Sequence, residues 1–165
     1  MSTESLRELI EAQMGHSHED AADSVSLLTA LMENPFGYGR IVRGENDLFE
    51  RIVEQKDASE TEQLLNEANL GVYCFAAKNL HKDLGNLKND NAQSEYYITD
   101  LAGMAAADGR RVIPVVLEDE GEAQGVNDLA QLADVRWQVQ LRILERHMAN
   151  GVRIMDPATT FIDHG

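Results

Sequence analysis

The stretch Glu95-Tyr-Tyr-Ile-Thr-Asp-Leu-Ala-Gly-Met-Ala-Ala-Ala-Asp-Gly-Arg-Arg-Val-Ile-Pro-Val-Val-Leu117 places a predicted helix directly before a predicted strand. Its alanine-rich part predicts a helix over 95–107 that ends at Asp108-Gly109, because glycine is common just past a helix C-terminus. The β-branched run over 112–117 is typical of the middle of a sheet, but Pro114 restricts it to an edge or a bulge. The stretch therefore predicts one helix-to-strand unit of an α/β fold.

The same alternation of strands and helices continues towards the N-terminus. Apolar spacing predicts a helix over 6–14, and segments 24–32 and 70–75 have the composition and length of strands. A hairpin is expected where 40–43 and 48–53 flank Gly44-Glu-Asn-Asp47, and short helices are expected after Ser59 and around Leu80 to Leu87. We therefore expect an α/β fold with a mixed, mainly parallel sheet.

The last long element is an amphipathic helix. Its apolar stripe starts at Asn127 or Asp128 and is closed by Asn150-Gly151. The stripe consists of Leu129, Ala133, Trp137, Leu141, Leu144 and Met148. At ~1.5 Å per residue such a helix is about 30 Å long, enough to cross a domain or to leave it.

Composition excludes several classes of function. The chain has 29 acidic and 14 basic residues, a net charge of -15, which repels nucleic-acid backbones and anionic membranes. No leader or apolar span is expected, so the chain is predicted to be cytoplasmic. The single cysteine, Cys74, is expected to be a buried strand thiol rather than a nucleophile. His16 and His18 in a polar loop are a weak metal candidate, with a solvated loop as the simpler interpretation.

Four short polar motifs follow one another in a fixed order. They are Gly37-Tyr-Gly39-Arg40, Ile52-Val-Glu54-Gln-Lys56-Asp57, Ala68-Asn69-Leu-Gly71 and Glu122-Ala-Gln-Gly125-Val-Asn-Asp128. Together with Asn91-Ala-Gln-Ser-Glu-Tyr-Tyr-Ile-Thr-Asp100, they resemble the uridyltransferase domain of the bifunctional N-acetylglucosamine-1-phosphate uridyltransferase/glucosamine-1-phosphate acetyltransferase. The resemblance implies part of a Rossmann-like nucleotidyltransferase domain over 1–126, a linker helix over 127–150, and the first turn of a left-handed β-helix over 151–165.

The implied reaction joins UTP and N-acetylglucosamine 1-phosphate to give UDP-N-acetylglucosamine and pyrophosphate, a step that feeds peptidoglycan and lipopolysaccharide precursors. By resemblance, the residues that bind the sugar nucleotide are Gly39, Glu54, Asn69, Glu95, Tyr97, Thr99 and Asn127. Several of them have a simpler interpretation when taken alone. Gly39 could only shape a turn, Glu54 could be a solvated charge, and Asn69 could be a turn residue. Glu95 could cap a helix.

Asn127 has a second implied role. Its counterpart in the family supplies an amide oxygen to Mg²⁺, which prefers oxygen ligands. The alternative is that Asn127 is the N-cap of the long helix, a position that asparagine favours. Both roles are compatible, because a cap lies where a ligand can approach.

Several parts of the family pattern have no counterpart in these 165 residues. They are the glycine-rich loop that cradles the triphosphate, the phosphate-contacting lysine, the uracil-reading residues and the aspartate that is the other ligand of Mg²⁺. The β-helix coils through which the family forms trimers are missing too, so a trimer is not expected. We therefore expect a truncated nucleotidyltransferase that is inactive alone.

Two other interpretations stay open. The chain could be a non-catalytic module that binds a sugar nucleotide or a partner and has lost the nucleotide half. It could also belong to a related hexose-phosphate uridylyl- or thymidylyltransferase. The Glu95–Asp100 block and the predicted start of a β-helix argue against the latter.

Overall fold

The computed structural model describes residues 2–15, 23–117, 122–126 and 128–163. The chain divides into two compact units, Met1–Ala123 and Gln124–Gly165. The described residues of the first unit contain three α-helices and five strands, and those of the second contain one long helix. Their bounds in chain order are α1 Thr3–Met14, β1 Val25–Leu31, β2 Arg40–Arg43, β3 Phe49–Val53, β4 Glu67–Phe75, α2 Ala77–Leu84, α3 Asp100–Ala107, β5 Val112–Val116 and α4 Leu129–Ala149.

The five strands form one mixed sheet in the order β3-β2-β4-β1-β5. Only the β1–β5 pairing is parallel, whereas β1–β4, β2–β3 and β2–β4 are antiparallel. The expectation of a mixed sheet is confirmed, and the expectation that it is mainly parallel is wrong. The connections explain this. β2 and β3 are joined by a hairpin, which makes them antiparallel, and the connection through α2 and α3 places β5 parallel to β1.

Alternate side chains of the sheet enter two separate cores. On one face, fully buried Leu27 packs with Ile41, Ile52 and Ala102, the last of which belongs to α3. On the other face, Leu28 packs with Leu9 of α1 and with Leu117. Because successive strand residues point to opposite faces, neighbouring leucines of β1 anchor one helix on each side of the sheet. The sheet is thereby fixed between α1 and α3.

The helix predicted over 95–107 is correct only in its second half. Residues 95–99 are not helical, and α3 begins at Asp100. The Asn91 side chain explains this: its Oδ1 accepts from the Gln93 and Glu95 N–H groups, and its Nδ2 donates to the Glu95 carbonyl oxygen. Asparagine side chains that bond nearby backbone groups in this way favour turns over helix. Helix capping by Glu95 is therefore excluded.

In the second unit, α4 covers the predicted apolar stripe and begins after Asp128. The Asp128 carboxylate accepts from the Gln131 N–H at 2.8 Å, so Asp128 is the N-cap. Asn127 lies outside the described residues, as do His16 and His18. Within the described parts of the chain, no helix is long and apolar enough to cross a membrane.

The turn after β3 is held by an acidic side chain with a strongly shifted pKa. Glu62 accepts hydrogen bonds from the Ser59 hydroxyl at 2.6 Å and from the Ser59 N–H at 2.8 Å, and it also pairs with Arg51. These contacts, those with Ser59 first, lower the pKa of Glu62 to about 2 from its ordinary value of 4.5. The arrangement matches a capping box, in which a serine and a glutamate three residues later bond reciprocally.

We expect Glu62→Gln to lower the free energy of unfolding at pH 7 by ~1 kcal/mol. A lowered folded-state pKa means that the stabilisation is complete above about pH 4.5 and is lost as the pH falls towards about 2. The difference between wild type and variant in urea denaturation should therefore shrink from pH 7 to pH 3. Glu60→Gln, at an exposed neighbouring position, is the control. A difference that stays constant with pH would contradict the assignment.

Candidate functional site

Gly39 and Glu54 lie opposite each other at the open end of the β2–β3 hairpin. Gly39 precedes Arg40 and Glu54 follows Val53, and these two strand residues are paired. A Cβ atom built on Gly39 would lie 3.5 Å from each oxygen of the Glu54 carboxylate and 2.9 Å from Ile52 Cγ2. The Glu54 carboxylate thus lies directly over the Gly39 backbone. A side chain at position 39 would collide with Ile52.

Asn69 extends the same site onto the neighbouring strand. Its N–H donates to the Gly39 carbonyl oxygen at 2.8 Å, which places β4 beside the hairpin end. Its side-chain Oδ1 accepts from the N–H of Gly71 at 3.2 Å, and Gly71 has a φ of 73°. Asn69 is 7% exposed. Asn69 and Gly71 both lie within β4, next to a register shift in its pairing with β1, so the interpretation of Asn69 as a turn residue is wrong.

Thr99 contacts the Glu54 carboxylate from α3. Its hydroxyl donates to Glu54 Oε1 at 2.9 Å, although the two residues are 45 positions apart in sequence. Thr99 is 6% exposed and lies immediately before the first residue of α3. The packing of α3 against β3 brings this hydroxyl to the carboxylate. One oxygen of Glu54 is thus fixed by the protein.

Two tyrosines lie within electrostatic range of Glu54. Burial raises the pKa of the Tyr73 phenol, the Asn69 side chain partly offsets that increase, and the Glu54 charge adds to it. Burial also raises the pKa of Tyr97, with further increases from Asp57 and Glu54. Both hydroxyls are therefore protonated at neutral pH. Glu54 thus has neutral hydroxyl and amide groups nearby, with a second carboxylate, Asp57, bonded to Tyr97. Such a set of groups suits hydrogen bonding to a polyhydroxylated molecule.

The predicted site residues divide into four groups. Gly39, Glu54, Asn69 and Thr99 are contiguous. Tyr97 lies close by, where its hydroxyl donates to Asp57 Oδ2 at 3.2 Å. The Glu95 residue is exposed, and only its backbone has a contact, with Asn91. Asn127 cannot be placed, because it lies outside the described residues.

Asn127, the implied ligand of Mg²⁺, lies outside the described residues. Mg²⁺ takes oxygen ligands in near-octahedral geometry. In the described part of the chain no three His, Cys, Asp or Glu side chains come together as a metal site.

Cys74 lies on β4, where it packs against the cluster of Leu9, Leu28 and Leu117. It is half-buried, and burial raises the pKa of its thiol. A raised pKa lowers the thiolate fraction, and the thiolate is the reactive form. Cys74 is therefore a packing residue, although it is less deeply buried than the sequence predicted.

A large cavity adjoins the site on the side of α3. Its volume is about 880 Å³, and it shares Ile52 and Thr99 with the surroundings of Gly39 and Glu54. Its other walls come from the β2–β3 hairpin, the segment after α2, and α3. Glu54, Gly39 and Asn69 do not line this cavity. The predicted site is the surface beside the cavity and not the cavity itself.

The fold and the site define a protein of the nucleotidyl transferase class. The chain belongs to the nucleotidyl transferase family, whose model matches residues 5–138. It is 47% identical over 148 residues to the bifunctional protein GlmU of Pelobacter propionicus, covering 90% of this chain and 32% of that protein. It is 44% identical over 163 residues to the same-named protein of Geobacter sulfurreducens, covering 99% of this chain and 33% of that one. The chain thus spans about a third of the length of these relatives.

A solved structure has the same fold at low sequence identity. It is a crystal structure assigned as a glucose-1-phosphate thymidylyltransferase from Bacillus anthracis, in complex with a sucrose. The TM-score is 0.50 at 14% identity, covering 85% of this chain and 49% of that one. This likeness supports a nucleotidyltransferase-like α/β fold, and it carries no information on substrate.

Gly39→Ala is expected to destabilise the chain by ~1–3 kcal/mol, the usual cost of overpacking. The new methyl group would lie 2.9 Å from Ile52 Cγ2, and Ile52 is a core residue that is only 6% exposed. Urea denaturation measures the change. Gly85→Ala is the matched control, because Gly85 has a φ of -70° and the nearest atom to the new methyl, the Lys82 carbonyl oxygen, would be 3.4 Å away. If both variants unfold at the same urea concentration as wild type, Ile52 moves away from the new methyl group at no cost, and the expectation is contradicted.

Proposed function

We propose that this chain carries the sugar-binding part of a uridyltransferase that converts UTP and N-acetylglucosamine 1-phosphate into UDP-N-acetylglucosamine and pyrophosphate. In that reaction a phosphate oxygen of the sugar phosphate attacks the α-phosphorus of UTP, and pyrophosphate leaves. No protein nucleophile is needed. The work of the protein is to position the two substrates and to stabilise charge.

One observation carries the proposal for the sugar half. The Glu54 carboxylate lies over the Gly39 backbone, and its Oε1 is held by Thr99 at 2.9 Å. A carboxylate fixed in this way has lone pairs left to accept from sugar hydroxyls. Asn69 and Tyr97 are at the margin of the same surface.

The finer assignments rest on resemblance. Gly39, Glu54, Asn69, Glu95, Tyr97, Thr99 and Asn127 are the proposed sugar-nucleotide contacts. Members of this family typically use a divalent metal, and we propose Mg²⁺ with Asn127 as one of its ligands. We also propose that residues 127–150 are a linker helix and that residues 151–165 begin a left-handed β-helix. The whole reaction of the relatives is a proposal for this chain, which spans about a third of their length.

A titration followed by NMR tests the sugar assignment on the chain itself. We expect N-acetylglucosamine 1-phosphate to shift the amide signals of Gly39, Gly71 and Thr99 with millimolar affinity. Glucose 1-phosphate, which lacks the N-acetyl group, is the matched control and should bind more weakly. Equal binding of both sugars would favour a hexose-phosphate transferase instead. No shift at these amides would contradict the proposed site.

A further inference from the structure

The Asp57 side chain, in the turn after β3, attaches the loop between α2 and α3 to that turn. The Asp57 carboxylate uses both of its oxygens: Oδ1 accepts from the Ala92 N–H at 2.8 Å, and Oδ2 accepts from the Tyr97 hydroxyl at 3.2 Å. These partners are 35 and 40 positions away in sequence. Asp57 therefore joins two points of one loop to a single turn.

A second pair of contacts supports the same attachment. Lys56 Nζ donates to Gln93 Oε1 at 2.5 Å, and Gln93 Nε2 donates to the Tyr97 hydroxyl oxygen at 2.8 Å. The amide oxygen of Gln93 thus binds Lys56 of the turn, and its amide nitrogen binds Tyr97 within the loop. The Tyr97 hydroxyl accepts from Gln93 while it donates to Asp57, so its hydrogen-bonding is directional.

The turn that carries Asp57 is itself tied to Glu54. The N–H groups of Asp57 and Ala58 both donate to the Glu54 carbonyl oxygen at 3.0 Å. At the other end of the loop, Thr99 donates to the Glu54 carboxylate at 2.9 Å. The path from Glu54 through Asp57 and the loop to Thr99 therefore returns to Glu54. The backbone carbonyl and the side-chain carboxylate of Glu54 are therefore both held by this set of contacts.

We propose that Asp57 is a positioning residue, which holds the 91–97 loop on the turn after β3 and thereby keeps Thr99 on the Glu54 carboxylate. The proposal rests on the proposed function, because the value of a fixed Glu54 lies in its contact with the sugar. Catalytic and binding groups gain from being held in one geometry before the ligand arrives, since ordering them afterwards costs affinity. Asp57 itself needs no contact with the sugar.

The chemistry of the side chain predicts which replacements are tolerated. Alanine removes both acceptors. Asparagine keeps an oxygen for the Ala92 N–H and presents an amide donor to the Tyr97 hydroxyl oxygen, which has a lone pair for a second hydrogen bond. The conservative variant Asp57→Asn should therefore retain most of the attachment, and Asp57→Ala should lose it.

Hydrogen exchange and sugar titration on the full 165-residue chain test the proposal together. In Asp57→Ala we expect the Ala92 amide to exchange roughly 10-fold faster and the affinity for N-acetylglucosamine 1-phosphate to fall about 5- to 10-fold. Asp57→Asn should restore both to within about 3-fold of wild type. Glu60→Ala removes the same charge from an exposed nearby position and should change neither.

The two readouts separate this proposal from the proposed function. Unchanged protection of Ala92 in Asp57→Ala would overturn the attachment. Faster exchange at Ala92 with wild-type affinity would overturn the positioning role, while leaving the sugar site intact. A loss of affinity shared equally by Glu60→Ala would identify a simple charge effect and overturn it as well. A wild-type chain that does not bind the sugar phosphate would overturn both proposals.

Discussion

Purified as these 165 residues, the chain is expected to release no measurable pyrophosphate from UTP and N-acetylglucosamine 1-phosphate. The sequence contains no glycine-rich loop to hold a triphosphate, and the net charge of -15 repels one. Asn127 is uncharged and is one proposed ligand of a metal that needs several. When catalytic groups that act as a unit are lost together, the reaction rate usually falls by orders of magnitude. The expectation applies to these 165 residues and not to a longer polypeptide that contains them.

A coupled assay for pyrophosphate, with Mg²⁺ present, measures this directly. The positive control adds a separate polypeptide that supplies a family-type nucleotide-binding half, which should restore turnover if the sugar half is functional. A chain that stays inactive with this supplement would favour a non-catalytic binding module. Mg²⁺-dependent release from the chain alone, abolished by Asn127→Ala, would contradict the expectation. It would also mean that these residues already form a complete nucleotide site.

Local chemistry predicted most of the secondary structure. The hairpin around Gly44-Glu-Asn-Asp47, the strand that became β1 and the stripe that became α4 were each predicted within a few residues. These elements are encoded by near neighbours: turn residues between β-formers, and apolar side chains at a helical period. The start of α3 was predicted wrongly for the same local reason. Asn91 bonds the backbone of Glu95, and alanine content alone does not reveal that competition.

Pairing across the sheet was harder to predict. The alternation of strands and helices suggested mainly parallel pairing, but only β1 and β5 are parallel. Strand direction depends on how each connection turns, and propensity does not specify it. Pro114, by contrast, constrained β5 correctly: this strand is at the edge of the sheet, where a missing N–H is tolerated.

The candidate site was predicted by family resemblance and not by spacing. Glu54 and Thr99 are 45 positions apart, and only the packing of α3 on β3 brings them together. Asp57 was not among the predicted site residues. Its signal was present in the sequence, since it lies within the same motif as Glu54, but its two loop partners could not be inferred without coordinates.

Glu54→Ala is expected to weaken binding of N-acetylglucosamine 1-phosphate by about 5- to 150-fold, corresponding to ~1–3 kcal/mol for a lost buried sugar contact. The substitution removes the acceptor that Thr99 holds and leaves the Thr99 hydroxyl without that partner. Glu54 follows β3 and belongs to neither hydrophobic cluster, so the cost to the fold should be that of the Thr99 hydroxyl left without this partner.

The measurement is the Michaelis constant of each substrate in the chain supplemented with a nucleotide-binding half, or the sugar titration where turnover is absent. The constant for the sugar phosphate should rise while that for UTP stays within about 3-fold, because the carboxylate faces the sugar-binding surface. Glu54→Gln is the matched control: it keeps an oxygen for Thr99 but loses the charge and one acceptor, so an intermediate loss is expected. A collapse of UTP affinity with an unchanged sugar constant would show that Glu54 serves the nucleotide. In that case the surface beside Gly39 and Asn69 would be assigned to the nucleotide. Thr99 holds Glu54 next to these two residues whichever substrate binds there.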